Sequence, residues 1–237
     1  MKPAPFEYVA ARSVPEALEA LAVDGAQVLA GGQSLLPLLN VRSVRPSRLV
    51  DINHAGLGLI RRREGVLHLG ATVRQAALER SSLIAERWPL LAEAVRHVGH
   101  AATRSRGTVG GSVVHADPRA QLPAALAALD ARFVHEGRLL VSIEVPPPAA
   151  GARVGYAEFA RTRGVFADAG AAVVLAPGHA AIALLGTGRA ARAEAAVRAG
   201  ANAREAAALA AEEVEGDHHR ALVADVTRRA LERAGRR

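Results

Sequence analysis

Cysteine is absent from the 237 residues, which excludes disulfides, thiolate catalysis and any iron–sulfur or zinc site ligated through sulfur within this chain. Aromatic residues make up 3% of the sequence, and Lys2 is the single lysine. The formal charge of +7 and the pI near 11.1 therefore come from arginine. Those arginines are scattered through Ala-rich stretches without interleaved aromatics, the pattern of solvated helix faces, so no nucleic-acid partner is expected. No apolar run approaches the ~20 residues a bilayer crossing needs, and Met1-Lys2-Pro3-Ala4-Pro5 lacks the apolar stretch of a signal peptide. The expectation is a cytoplasmic protein without membrane insertion.

Hydrophobic residues reach 50%, enough for a sizeable core. Phe6 to Val9 reads as a strand. Ser13 caps a helix whose second position is Pro15 and whose Ala17, Leu18, Leu21 and Ala22 share a face. Gln27 to Ala30 and Leu49 to Ile52 read as further strands, giving β-α-β-loop-β. Between Gly56 and Val145, Val66 to Leu69 predicts a strand, Thr72 to Leu78 a helix, and Leu90 to Val98 an apolar-faced helix. A glycine-punctuated region, Gly99 to Gly111, leads to a β-rich exit at Leu139 to Val145. Arg61-Arg62-Arg63-Glu64 reads as the rim of a hairpin. Pro146-Pro147-Pro148 followed by Ala149-Ala150-Gly151 predicts a stiff linker. Beyond it, Ala171 to Leu175 and Ala180 to Leu185 predict strands around the turn Pro177-Gly178. Two Ala-rich helices follow, near Arg192 to Leu209 and Leu222 to Ala234. The class is α+β.

Chemistry concentrates in two glycine-rich segments. In Ala30-Gly31-Gly32-Gln33-Ser34-Leu35-Leu36-Pro37, adjacent glycines after a strand permit a tight turn that aims consecutive amide N–H groups at one point, with no Cβ to block a ligand. Such a nest suits a pyrophosphate, and Ser34 adds a hydroxyl. Thr108-Val109-Gly110-Gly111-Ser112-Val113-Val114-His115-Ala116-Asp117-Pro118 repeats the design, with the valine pair reading as buried. Two such cradles imply a long, polyhydroxylated, phosphorylated ligand.

These segments, with Val98-Gly99-His100, Arg104 to Gly107, Phe6 and Leu140 to Pro146, resemble the FAD-binding medium subunit of molybdenum hydroxylases of the carbon monoxide dehydrogenase and xanthine dehydrogenase type. The resemblance spans most of the first 175 residues. It implies a two-part FAD-binding domain of the PCMH or vanillyl-alcohol-oxidase-like kind, subdomains 1–54 and 55–148, followed by a small α+β domain, 151–237. It further implies that the backbone amides of Ala30, Gly31, Gly32, Gln33 and Ser34 hold the FAD pyrophosphate, with the flanking Leu29 and Leu35 also among the cofactor-binding residues. Thr108, Gly110, Gly111, Ser112 and His115 match positions around the flavin, ribityl and phosphate groups, with Asp117 close by. Leu140 matches an apolar residue that packs on the isoalloxazine ring. No residue of the chain acts covalently, because the flavin carries the redox step.

By the same resemblance, iron–sulfur clusters belong to a small partner subunit and molybdopterin to a large one, with electrons leaving through FAD to an external acceptor. A self-contained FAD-dependent oxidoreductase and an assembly subunit with a degenerate flavin site are the competing readings. The chain departs from the family pattern at Gln121, where an acid is usual, and at Val165-Phe166-Ala167, where Asp often precedes Phe-Ala. His135-Glu136-Gly137 stands where relatives carry a loop of roughly two dozen residues. Asp217-His218-His219 reads as a solvated helix start, and no metal site is expected. His97 and His100, flanking Gly99, predict a structural turn.

Overall fold

The structure, a computed structural model, describes residues 2–236. Along the chain run β1 (Glu7–Ala10), α1 (Val14–Leu21), β2 (Ala26–Leu29), α2 (Leu35–Asn40), β3 (Arg48–Asp51), β4 (Ile60–Arg63) and β5 (Val66–Gly70). A helical stretch follows: α3 (Gln75–Arg80), α4 (Ser82–Arg87), α5 (Pro89–Arg96), α6 (Ala101–Arg106), α7 (Val109–His115) and α8 (Gln121–Ala128). The remainder comprises β6 (Arg132–Glu136), β7 (Leu139–Val145), β8 (Arg153–Phe159), β9 (Ala169–Ala176), β10 (His179–Leu184), β11 (Gly188–Arg189), α9 (Ala191–Arg198), α10 (Ala203–Ala211) and α11 (Asp217–Arg236). The contacts gather into two compact units, neither continuous in sequence.

The first unit contains the chain up to Ala77, Ala101–His115 and Arg132–Glu144. Its three-stranded sheet has the order β1-β3-β2 with both pairings parallel. Parallel neighbours need a crossover, and α2 lies in the one from β2 to its neighbour β3, while α1 lies in the connection from β1 to β2 on the far side of β3. The Ser13 hydroxyl accepts the Glu16 amide at 3.3 Å, the Glu16 carboxylate accepts the Arg12 amide at 2.8 Å, and Pro15 sits in the first turn. Ala17, Ala20 and Leu21 face the core, whereas Ala22 is exposed, because positions three and four apart share a helical face and Ala22 lies beyond it. A second sheet has the order β4-β5-β7-β6. Leu139 and Val141 of β7 join Leu21, Val50 and Ile52 in one apolar cluster. Arg61, Arg62 and Arg63 lie on a β4–β5 hairpin whose turn residues, Glu64 and Gly65, both have positive φ, the backbone a two-residue hairpin turn requires.

The second unit consists of Leu78–His100, Ala116–Ala131 and the chain from Val145 onward. It contains an antiparallel sheet of order β11-β10-β9-β8, its β9–β10 hairpin closing at Pro177-Gly178. Ala157, Ala171, Val173 and Ile182 pack against Ala206, Ala210, Val226 and Ala230 of α10 and α11. The predicted helix Arg192 to Leu209 is two helices, parted at Gly200 with φ +95. Asn202 restarts it with a reciprocal cap, accepting the Glu205 amide at 3.1 Å while Glu205 accepts the Asn202 amide at 3.1 Å. The proline run lies between β7 and β8. The indole N–H of buried Trp88 donates to the Pro146 carbonyl at 2.8 Å, so the run is anchored at its first residue.

Other differences from the sequence reading have local causes. Residues 71–73 are not helical, since their amides donate to Val141, Leu57 and Gly70 carbonyls, and α3 begins only at Gln75. Short helices α6 and α7 occupy the glycine-punctuated region. Strands β6 and β8 carry no alternation strong enough to announce them, being exposed or buried along most of their lengths.

Candidate functional site

The first glycine segment leaves the carboxyl end of β2, beside the carboxyl end of β3, where Leu29 pairs with Asp51. Ligands of open parallel sheets bind at such ends. Gly32 adopts φ +73, reversing the chain before α2. The amide N–H groups of Gly31, Gly32, Gln33, Ser34 and Leu35 meet no acceptor among the described residues, and the first bond of this turn is Leu36 N–H to the Gly32 carbonyl at 3.0 Å. Native proteins pair nearly all buried donors, so a run of open amides in a turn that is buried at Gly31 and half-buried at Gly32, Ser34 and Leu35 fits an anionic ligand. The Ser34 hydroxyl makes no cap to α2 and is equally open.

The second segment meets the first through Gly31. A Cβ there would lie 2.4 Å from the Arg106 carbonyl oxygen and 2.9 Å from Gly107 Cα, so only glycine permits the approach. Here the expected second cradle of amides is corrected. Residues 109–115 form helix α7, and its first amides are taken: Val109 donates to Val73 at 2.9 Å, Gly110 to Ala71 at 3.1 Å and Ser112 to Thr108 at 3.1 Å. The Thr108 side chain, 2% exposed, caps the helix by accepting the Gly111 amide at 3.0 Å. Gly110 is required by packing, since a Cβ would fall 2.6 Å from the Ala71 carbonyl. What this segment offers a ligand is side-chain chemistry, the half-buried Ser112 hydroxyl and the exposed His115 ring. The valine pair is not buried: Val114 is 66% exposed.

The structure thus brings Leu29 to Leu35 and Thr108 to His115 together in the first unit. Leu140 belongs to the same unit on β7 and is only 4% exposed, so little of its surface is free to meet a ring. Asp117 belongs to the second unit and accepts the Arg119 amide at 2.9 Å and its guanidinium at 3.2 Å. The short loop is a tight hairpin in which Glu136 pairs with Leu139, and Arg138 donates to the Leu21 and Ala26 carbonyls at 3.3 Å each. Two residues escaped the sequence reading, Asn53 and Arg74. Asn53 donates to the Ala30 carbonyl at 2.9 Å, and Arg74 to the Arg106 carbonyl. Neither lies in a recognisable motif.

Gln121 has a defined role in the second unit. Its amide donates to Glu158 at 3.1 Å, alongside His97 at 3.0 Å and the hydroxyl of fully buried Tyr156 at 2.7 Å. An acid at position 121 would set two carboxylates face to face, so glutamine suits Glu158. Burial works against the ionised Glu158, but hydrogen bonds from His97 and Tyr156 outweigh it and hold the carboxyl below its ordinary value. Burial, then the Glu158 charge, pushes Tyr156 well above its own. The second unit also has a cleft of about 370 Å³ lined by Arg119, Asp168, Glu213 and His219 among others, but by none of the flavin residues expected from sequence. Among the described residues no group of three or more His, Asp or Glu is placed to hold a metal, and no helix is long and apolar enough to cross a membrane.

A glycine turn with open amides, set at the ends of parallel strands and abutting a capped glycine helix, defines a nucleotide-cofactor-binding module. Residues 4–146 match the family described as the FAD binding domain in molybdopterin dehydrogenase, and the chain belongs to that family. It is 42% identical to the 6-hydroxypseudooxynicotine dehydrogenase complex subunit alpha of Paenarthrobacter nicotinovorans, over 74% of this chain and 68% of the relative. It is 36% identical to the carbon monoxide dehydrogenase medium chain of Hydrogenophaga pseudoflava, over 74% and 70%. Its fold is similar to a carbon monoxide dehydrogenase structure from the same organism, with a TM-score of 0.92, 34% identity and 99% of each chain covered. The chain is an FAD-binding medium subunit of a molybdenum-hydroxylase-type oxidoreductase complex.

Proposed function

We propose that this subunit relays electrons from iron–sulfur clusters on a small partner subunit to an external acceptor, while substrate is oxidised at a molybdopterin-bearing large partner. The observation that carries the reading is the run of open amides from Gly31 to Leu35, which suits the FAD pyrophosphate and needs no lysine. Bound FAD supplies the exchange between single electrons and electron pairs. The chain's part is to bind and orient: the amide run would hold the phosphates, Ser112 and His115 would contact the ribityl and flavin portion, and Asn53, bonded to the Ala30 carbonyl, would keep the turn in shape. The absence of cysteine agrees with clusters carried elsewhere. Exposed Val114 beside His115 supports a partner-facing rim at α7.

The test uses the assembled complex, depleted of FAD and reduced anaerobically with substrate. Bleaching of the cluster absorbance without turnover of the acceptor, restored by added FAD, is the expected result. Substrate oxidation by this chain alone with FAD would establish the self-contained oxidoreductase instead.

A further inference from the structure

Where the two glycine segments touch, one side chain is bonded to both sides of the junction. Arg74, half-buried just before α3, donates through Nη2 to the Asn53 Oδ1 at 2.7 Å and through Nη1 to the Arg106 carbonyl. Asn53 in turn donates through Nδ2 to the Ala30 carbonyl at 2.9 Å. The guanidinium therefore connects the residue preceding Gly31 with the residue preceding Gly107, the two points between which Gly31 makes its close approach. A planar fork with donors on separate nitrogens can span two acceptors in this way, and an ammonium cannot hold both in the same fixed geometry.

Among the described residues no carboxylate is bonded to this fork. Both acceptors are neutral. Asp51, whose charge favours the Arg74 cation, has its own oxygens committed, Oδ2 to the Tyr8 hydroxyl at 2.7 Å and Oδ1 to the Asn53 amide at 2.9 Å. Arg106 adds a second, exposed guanidinium beside the first. Burial, followed by the Arg106 charge, lowers the Arg74 pKa from its ordinary value. Charged groups removed from water are normally paired, and the open amides from Gly31 to Leu35 add partial positive charge to the same corner.

We infer that Arg74 is a positioning residue of the flavin site, tying the two glycine segments together through Asn53 and the Arg106 carbonyl while its charge offsets that of the bound pyrophosphate. The inference rests on the proposed FAD reading and extends it to residues outside either glycine motif. It gives the lysine-free cradle its cation.

The test compares the full chain, freed of flavin, as wild type, R74Q and R74K. FAD dissociation constants are measured by flavin fluorescence across a range of ionic strength, and the melting temperature of each apoprotein is recorded. R74Q should bind FAD about tenfold to a hundredfold more weakly, the size expected when a charge-assisted hydrogen-bonding group is lost. Its FAD affinity should also depend less on salt, because one cation facing the phosphates is gone. R74K should keep the wild-type salt dependence and recover part of the affinity, since it restores charge without the fork. Equal FAD affinity in R74Q and wild type would overturn the inference. So would equal weakening in R74Q and R74K with unaltered salt dependence, the mark of a purely structural tie. A wild-type chain that takes up no FAD overturns the flavin reading and the inference together, an outcome distinct from either.

Discussion

Ala30–Pro37 and Thr108–Pro118 each set a glycine pair beside hydroxyl side chains, and their backbones meet opposite fates. In the first segment the amides from Gly31 to Leu35 are open, and Gly32 owes its place to a positive φ of 73°. In the second the amides of Val109 to Ser112 are all accepted within the protein, and Gly110 owes its place to contact with Ala71. Both pairs therefore serve close packing, through Gly31 against Arg106 and Gly110 against Ala71, but only the first turn leaves its amide donors open among the described residues. The difference lies in the partner: no acceptor among the described residues meets the first turn's donors, whereas the Ala71 and Val73 carbonyls accept amides of the second.

That contrast is sharpest under substitution. Gly110→Val should be the most disruptive change, because its Cβ would meet the backbone of Ala71 at 2.6 Å and 2.8 Å and backbone cannot step aside. A loss of about 3 kcal/mol is expected, read as a lower urea midpoint of the apoprotein whether or not FAD is added. Gly32→Val should behave the other way. A β-branched residue tolerates φ +73 poorly, but the nearest atom to its Cβ is the movable Leu36 Cδ1 at 2.9 Å. The expected product is a folded apoprotein, destabilised by about 1–3 kcal/mol, that loses its flavin on gel filtration. Stoichiometric flavin in G32V would place the cradle elsewhere.

Smaller effects probe the supports. Glu158→Gln should cost about 1–3 kcal/mol at neutral pH by leaving buried donors short of an acceptor. The folded-state carboxyl is held below 4.5, so its stabilisation is present above that pH and is lost as pH falls through the lowered value. Urea titrations at several acidic pH values should show wild type losing its advantage over E158Q there; a constant gap between the two would contradict the assignment. Thr108→Ala removes the cap on the Gly111 amide and should cost about 1 kcal/mol, again visible without FAD. Ala116, which ends α7 at φ +51, is strained for a residue with a Cβ. Ala116→Gly should therefore raise stability by about 0.5–1 kcal/mol, the smallest shift of the series, measurable by differential scanning calorimetry.

The first turn was legible from its residues because a glycine pair after a short apolar strand is a local pattern, and φ is a local quantity. The same holds for α1, whose Ser13, Pro15 and Glu16 announce its start, and for the β9–β10 hairpin around Pro177-Gly178. The state of the second segment's backbone is not legible in the same way: its letters match the first, while whether its amides are open depends on the Ala71 and Val73 carbonyls, some 40 positions away. The glutamine at 121, a departure from the family pattern in sequence, has its physical reason in Glu158, a residue 37 positions away that accepts its amide.

Composition and short-range pattern by themselves determined that this is an α+β chain without sulfur chemistry and with a tight glycine turn at Gly31–Gly32, and its motifs carry a family resemblance over most of the first 175 residues. Only the tertiary structure decided which amides remain open, that Arg74 and Asn53 join the two glycine segments, and that the chain gathers into two discontinuous units. Hydrogen-bond satisfaction and close approach belong to pairs of residues distant along the chain, so no run of neighbouring letters encodes them.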